Sequence, residues 1–239
     1  MGNITHYINK YGNLTFGELA FNEIDNVILS TIAYINFDSI IEKNKTIRLE
    51  EAAKSYFKKN NKKDVLKNVL CVQIASKILK YVAEERRFKD LVLSNYDYKS
   101  SGDYQFSALF IDLDEKTTYI AFEGTDDLIS GWKEDMALSY EFPVIAQKEA
   151  ISYINSKISW TSKRNYILGG HSKGGNLALV AGMYANPFIR KKIIQIISND
   201  GPGLREKQIN SRQFKRVKHL YELVVPNYSV VGLLLNQPE

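Results

Sequence analysis

The chain has 239 residues, enough for one sizeable hydrophobic core, and its 44% apolar content is ordinary for a globular domain. Five prolines and a single cysteine exclude a disulfide framework. The formal net charge is +5, with lysines clustered at 54–67 and 205–219; such runs read first as solvated faces.

Without zinc-finger spacing, a ribonucleoprotein motif or an aromatic-interleaved basic stripe, nucleic acid is set aside as a partner, while peripheral contact with an anionic membrane stays open. The opening "MGNITHYINKYGN" has no basic region leading into an apolar stretch, and His6 breaks the myristoylation pattern. No apolar run approaches the ~20 residues a membrane span needs. A cytoplasmic protein is expected.

In chain order, apolar residues recur at helical spacing over 16–37, 49–57 and 65–85, so the first hundred residues are expected to be mostly helical. Cys71 falls on this periodicity and reads as a small core residue. From about 105 the period changes. "FSALFIDLD" and "TTYIAFEG" predict two strands with a turn between them. A helix is predicted at 146–160, a strand at 165–170, a helix at 174–185, and strands at 192–200 and 220–227. Strands alternating with helices imply βαβ units. The fold class is therefore α/β, a three-layer arrangement with a mostly parallel central sheet and a helical N-terminal region. No repeat, linker or low-complexity tract divides the chain, so a single domain over 1–239 is expected, with a helical part over 1–100 and a core over 105–235.

Gly170-His171-Ser172-Lys173-Gly174 fits G-x-S-x-G between a predicted strand and a predicted helix. That context makes the motif informative. A serine nucleophile must sit on a sharp, strained turn, and the glycines two positions away let neighbouring backbone pass close by. The following helix aims its N-terminus at the serine and favours negative charge there. A plain βα turn that contains serine is the alternative. A phosphate-binding loop is excluded, because no Gly-Lys-Ser/Thr ending and no G-x-G-x-x-G occur.

"YIAFEGTDDLISGWKEDMAL" followed by "YILGGHSKGGNLAL" resembles the paired motifs of class 3 lipases, and more closely those of an uncharacterised bacterial branch of lipase-like α/β-hydrolases. The resemblance covers roughly 105–235 and extends to the N-terminal "FGELAFNEIDNVILSTIAYINF". It implies that Ser172 is the nucleophile, that Lys173 supplies one oxyanion-hole N–H, and that Thr125 supplies the rest through its N–H and hydroxyl. It places a lid over 126–132. Two departures stand out: Glu123 occupies a position where those families usually carry Arg, and the His-x-Gly-Phe pattern after the lid is missing.

The orienting acid of such a site follows a strand after the nucleophile. The position matching the class 3 acid is Ser229, which carries no charge, so Asp200 in "IISNDGPGL" is the candidate; turn chemistry alone also explains an Asn-Asp-Gly run. Asp126, Asp127 and Asp135 read as caps or loop partners. The base is harder to find. Of three histidines, His171 adjoins the serine and should turn away from it, His219 precedes the last strand on the wrong side, and nothing places His6. In the resembled families the catalytic histidine follows the last strands, so a chain lacking its C-terminal end is one expectation.

Carboxylic-ester hydrolysis through an acyl-enzyme on Ser172 is the expected chemistry, acting on a small-molecule or lipid ester without cofactor or metal. The alternative is a non-catalytic lipid- or protein-binding module on the same fold. Acyl-chain length, head group and oligomeric state are not legible.

Overall fold

The computed structural model describes residues 2–60, 65–66, 68–101, 104–125, 137–226 and 235–237. Among the described residues the N-terminal part supplies the helices α1 (Gly2–Tyr11), α2 (Glu23–Ile32), α3 (Leu49–Lys59) and α4 (Leu70–Val82). The helix predicted over 16–37 is confined to α2 because Asn22 caps it. Asn22 Oδ1 accepts from the amides of Ile24 and Asp25 at 3.0 and 3.4 Å, and Asp25 Oδ2 accepts from the amide of Asn22 at 3.1 Å. This reciprocal capping box fixes the helix start inside an otherwise periodic run.

Seven strands form one sheet in sequence order: β1 (Thr46–Arg48), β2 (Val92–Ser100), β3 (Gln105–Asp112), β4 (Thr117–Phe122), β5 (Asn165–His171), β6 (Ile193–Asn199) and β7 (Tyr221–Val224). β1 to β4 pair antiparallel, whereas β4 to β7 pair parallel. The sheet is thus mixed, a correction to the expectation of a mostly parallel one. The connections explain it. β3 and β4 are joined by a tight turn, in which Asp114 Oδ1 accepts from the amides of Lys116 and Thr117 at 2.6 and 2.7 Å; so short a link allows only antiparallel neighbours. β1 and β2 escaped the sequence reading. β1 has three residues, and the alternation of β2 is broken by a bulge between Ser94 and Asp97, where Asn95 takes φ 54°.

The parallel half advances in one direction, so right-handed crossovers place their helices on one face. These are α5 (Ile145–Lys157) and α6 (Lys173–Tyr184). The other face would be bare, and the N-terminal helices cover it. Side chains alternate accordingly: Phe106, Ala108, Phe110, Ile120 and Phe122 pack toward α5 and α6, while Leu109, Ile111, Tyr119 and Ala121 pack toward the N-terminal helices. Cys71 lies half-buried against the second of these cores.

One charged pair sits inside the N-terminal layer. Asp25 and Arg87 have fully buried side chains, and Arg87 Nε and Nη2 donate to the two carboxylate oxygens at 2.8 and 2.5 Å. Tyr7 Oη also donates to Asp25, and Arg87 donates to the carbonyls of Leu14, Thr15, Leu19 and Ala20. The guanidinium lies 4.1 Å from the Phe16 ring centroid. The pair thereby organises the loop that leads into α2. Among the described residues no helix is long and apolar enough to cross a membrane.

Candidate active site

β5 ends at His171, and α6 begins at Lys173. Ser172 between them has φ 54° and ψ −131°, a region that L-residues avoid at a cost of about 1–3 kcal/mol. Two bonds hold it there: its amide donates to the Asn199 carbonyl at 2.8 Å, and its carbonyl accepts from the Gly175 amide at 2.9 Å. The flanking glycines are sterically required. A Cβ on Gly170 would collide with the backbone of Gly174, and one on Gly174 would collide with the Phe122 carbonyl oxygen. The serine, half-exposed, sits at the carboxyl end of the parallel strands and at the N-terminus of a 12-residue helix.

The β4 carboxyl end comes up beside it. Gly124 lies so close to the His171 carbonyl and to Tyr34 Oη that a Cβ would overlap both, which brings the segment carrying Thr125 against the serine turn. Lys173, despite its charge, is 1% exposed. Its Nζ donates to the Gln105 carbonyl at 3.1 Å, and Gln105 Nε2 donates to Glu123 Oε1 at 3.3 Å. Glu123 is itself buried. Gln105 thus bonds both buried residues, Lys173 through its carbonyl and Glu123 through its side-chain amide.

β6 delivers the third element. Asp200, with φ 53°, follows Asn199 directly, and its amide donates to the Val224 carbonyl at 2.8 Å. A Cβ on Gly201 would stand 2.8 Å from the Ser172 carbonyl oxygen, so this turn also presses on the elbow. Asn176 anchors the turn: its Nδ2 donates to the carbonyls of Pro202 and Gly203 at 3.1 and 2.9 Å, and its Oδ1 accepts from Gln147 Nε2 at 2.8 Å. The structure thus gathers Ser172, Lys173, Thr125 and Asp200 at the carboxyl ends of β4, β5 and β6. Ser229, the stretch 126–132 and Asp126, Asp127 and Asp135 lie outside the described residues.

The histidines are dispersed. His6 is exposed on α1, and His219 is exposed in the turn before β7, at the amino ends of the parallel strands. His171 is the one beside the serine, and its Nδ1 lies 2.9 Å from Tyr34 Oη, toward the N-terminal layer. Burial holds its pKa below the ordinary 6.5, with the Asp200 carboxylate opposing part of that effect. The unfolded chain therefore binds a proton here at pH values where the folded chain does not. This contribution to stability is complete above about pH 6.5 and is lost as pH falls toward the folded value. Melting temperatures of the wild type and of His171→Gln are expected to show it: between about pH 7.5 and about pH 5.5 the wild type should lose more than the variant.

Sequence reasoning missed the polar braces beneath the elbow. Tyr119 Oη donates to Asn26 Oδ1 at 2.8 Å, Asn26 Nδ2 donates to Asn199 Oδ1 at 2.6 Å, and Asn199 Nδ2 donates to Ser30 Oγ and the Gly170 carbonyl at 3.1 and 3.2 Å. All four side-chain residues are buried. The signal was present: Asn26 interrupts the apolar face of α2, and a polar residue there needs a buried partner.

A strained serine between a parallel strand and a helix, with two further strand ends converging on it, defines an α/β-hydrolase-like protein. The model of the Mbeg1-like family matches residues 82–239, and the chain belongs to that family. No curated protein matches. Solved structures similar to it include a fungal lipase–inhibitor complex described as a model for interfacial activation (18% identity, TM-score 0.47, covering 64% of this chain and 62% of that one). Two others are M37 lipase (16%, 0.48, 86% and 67%) and the extracellular lipase LipA from Serratia marcescens (13%, 0.41, 84% and 38%). The chain thus spans less than two thirds of the fungal lipase.

Proposed function

We propose that this chain is a serine hydrolase of the lipase or esterase type, related to the class 3 lipases, which cleaves carboxylic esters through an acyl-enzyme on Ser172. The observation that supports it most is the strained conformation of Ser172, with φ 54° and ψ −131°, maintained at the N-terminus of α6. Strain of that size persists only where the surroundings over-determine it, and such sites cluster where chemistry needs a pre-set side chain.

In this reading Ser172 Oγ attacks the ester carbonyl carbon and gives up its proton to a base. The oxyanion that forms accepts from the Lys173 amide and from Thr125, donors worth roughly 3–4 kcal/mol each in comparable sites. Collapse expels the alcohol and leaves the acyl-enzyme, which water then hydrolyses. Asp200 is the orienting acid. The chain's own residues thus present the nucleophile and the oxyanion donors, and no histidine among the described residues is placed as the base.

Loss of the base in a comparable triad costs on the order of 10⁶ in turnover. Free imidazole can take its place. Reaction of Ser172 with a fluorophosphonate, followed by intact mass, is expected to be slow in buffer and to accelerate with imidazole concentration. A second reading, a non-catalytic module that holds a lipid or a protein at the same strand ends, is favoured by that missing base. It predicts no Ser172 adduct with or without imidazole.

A further inference from the structure

Folding assembles a surface that no stretch of the sequence shows by itself. The segments that lead into β5, β6 and β7 meet at the amino ends of the parallel strands. The Asn186 amide donates to Asn155 Oδ1 at 2.8 Å, Lys192 Nζ donates to the Ser162 carbonyl, and the Tyr166 amide donates to the Lys192 carbonyl at 2.9 Å. The turn Lys218–Leu220 packs beside β6 at the same pole.

Two large aromatics stand out from these loops: Trp160 is 74% exposed and Phe188 is 66% exposed. Trp160 sits in a turn, and Phe188 sits on the one-turn helix Pro187–Arg190. Around them cations outnumber carboxylates. Residues 155–164, 186–192 and 210–219 contain no Asp or Glu, and Lys163, Lys191, Arg216 and Lys218 are exposed. The carboxylates of this pole are on its β3–β4 side, where Asp112 is engaged by Arg164 at 3.0 Å and the exposed Asp114 and Glu115 offer their backbone carbonyls to the same guanidinium.

Exposed Trp and Phe among lysines are costly in water and favourable at a bilayer surface. There the rings enter the headgroup region, and ammonium groups on long stems meet anionic lipids. We infer that this pole, with Trp160 and Phe188 as wedges and Lys163, Lys191, Arg216 and Lys218 as the charged collar, docks the protein on an anionic lipid bilayer. Aromatics this exposed fit a deformable planar partner better than a helix or peptide, and the positive collar selects its charge. β5 separates the pole from Ser172 by seven residues, about 23 Å. Docking would therefore leave the strand-end site facing away from the bilayer. The inference does not depend on the hydrolase reading.

The test is co-sedimentation of the full chain with vesicles of equal parts phosphatidylglycerol and phosphatidylcholine, beside pure phosphatidylcholine vesicles. Binding to the anionic vesicles alone is expected, weakening with salt. Trp160→Ala/Phe188→Ala and, separately, Lys163→Glu/Lys191→Glu should each reduce it at least about tenfold. In a Trp132→Phe background the remaining tryptophan, Trp160, should shift its emission to the blue on binding. Circular dichroism and melting temperature should be unchanged in the surface variants, which reports that they are folded. Absence of binding, equal binding to neutral vesicles, or binding indifferent to both double variants would overturn the inference. So would tighter capture by single-stranded RNA through the same lysines, which would make nucleic acid the partner.

Discussion

Arg87→Met is expected to lower the free energy of unfolding by about 3–5 kcal/mol, because it leaves the Asp25 carboxylate uncompensated in the protein interior. Both side chains are fully buried, and the pair is bidentate. Arg87 also holds the carbonyls of Leu14, Thr15, Leu19 and Ala20, so its loss orphans backbone acceptors as well. Replacing both partners, Asp25→Leu with Arg87→Met, should recover part of the loss by removing the stranded charge, and the orphaned carbonyls should keep recovery incomplete. Urea unfolding of the two single variants and the double checks this. A double variant less stable than either single would show that the pair does not behave as one buried unit. The site would feel the change too, since Asp25 belongs to the capping box of α2, the helix whose Asn26 and Ser30 brace Asn199 beneath the elbow.

Gly174→Ala is expected to strike the site more directly. The new methyl would collide with the Phe122 carbonyl and lie 3.0 Å from the backbone carbonyl of Glu123. Neither neighbour is a flexible side-chain tip. The end of β4 must move away from the elbow, and Thr125 moves with it. Overpacking of this kind costs about 1–3 kcal/mol. On the proposed mechanism Thr125 is an oxyanion donor, and its displacement should slow acylation of Ser172 by about 10²–10³. Gly17→Ala is the control, because its nearest neighbour would be Thr15 Oγ1 at 3.8 Å. Fluorophosphonate reaction rates and melting temperatures of the two variants separate the outcomes: equal rates in both would contradict the placement of Thr125 beside the serine.

The parts of this site that local chemistry dictates were legible in the sequence. Glycines at 170 and 174 announce a close backbone crossing, and the apolar runs at β4, β5 and β6 announce buried parallel strands whose carboxyl ends must converge. What depended on long-range pairing was not legible. The contact of Tyr34 with His171 spans 137 positions, and that of Asn26 with Asn199 spans 173; no periodicity encodes either. Glu123 looked like a departure until Gln105, which also accepts from the buried Lys173, was seen to donate to it. In the antiparallel half, β2 was missed for a local reason, because it carries Asn, Asp, Lys and four serine or tyrosine residues across a bulge. The basic, aromatic pole was hidden for the opposite reason: Trp160, Phe188 and Lys218 are far apart in sequence and share one end of the sheet only because the segments carrying them lead into adjacent parallel strands.

The central claim, that the strained residue at the β5–α6 turn is a nucleophile, is tested most directly by mapping a fluorophosphonate adduct on the folded 239-residue chain in the presence of imidazole. The account predicts one adduct, on the peptide containing Ser172, formed faster as imidazole is raised and absent in Ser172→Ala. An adduct on a different residue, or none in a protein whose circular dichroism shows it to be folded, would contradict it and leave the strand-end site as a binding surface.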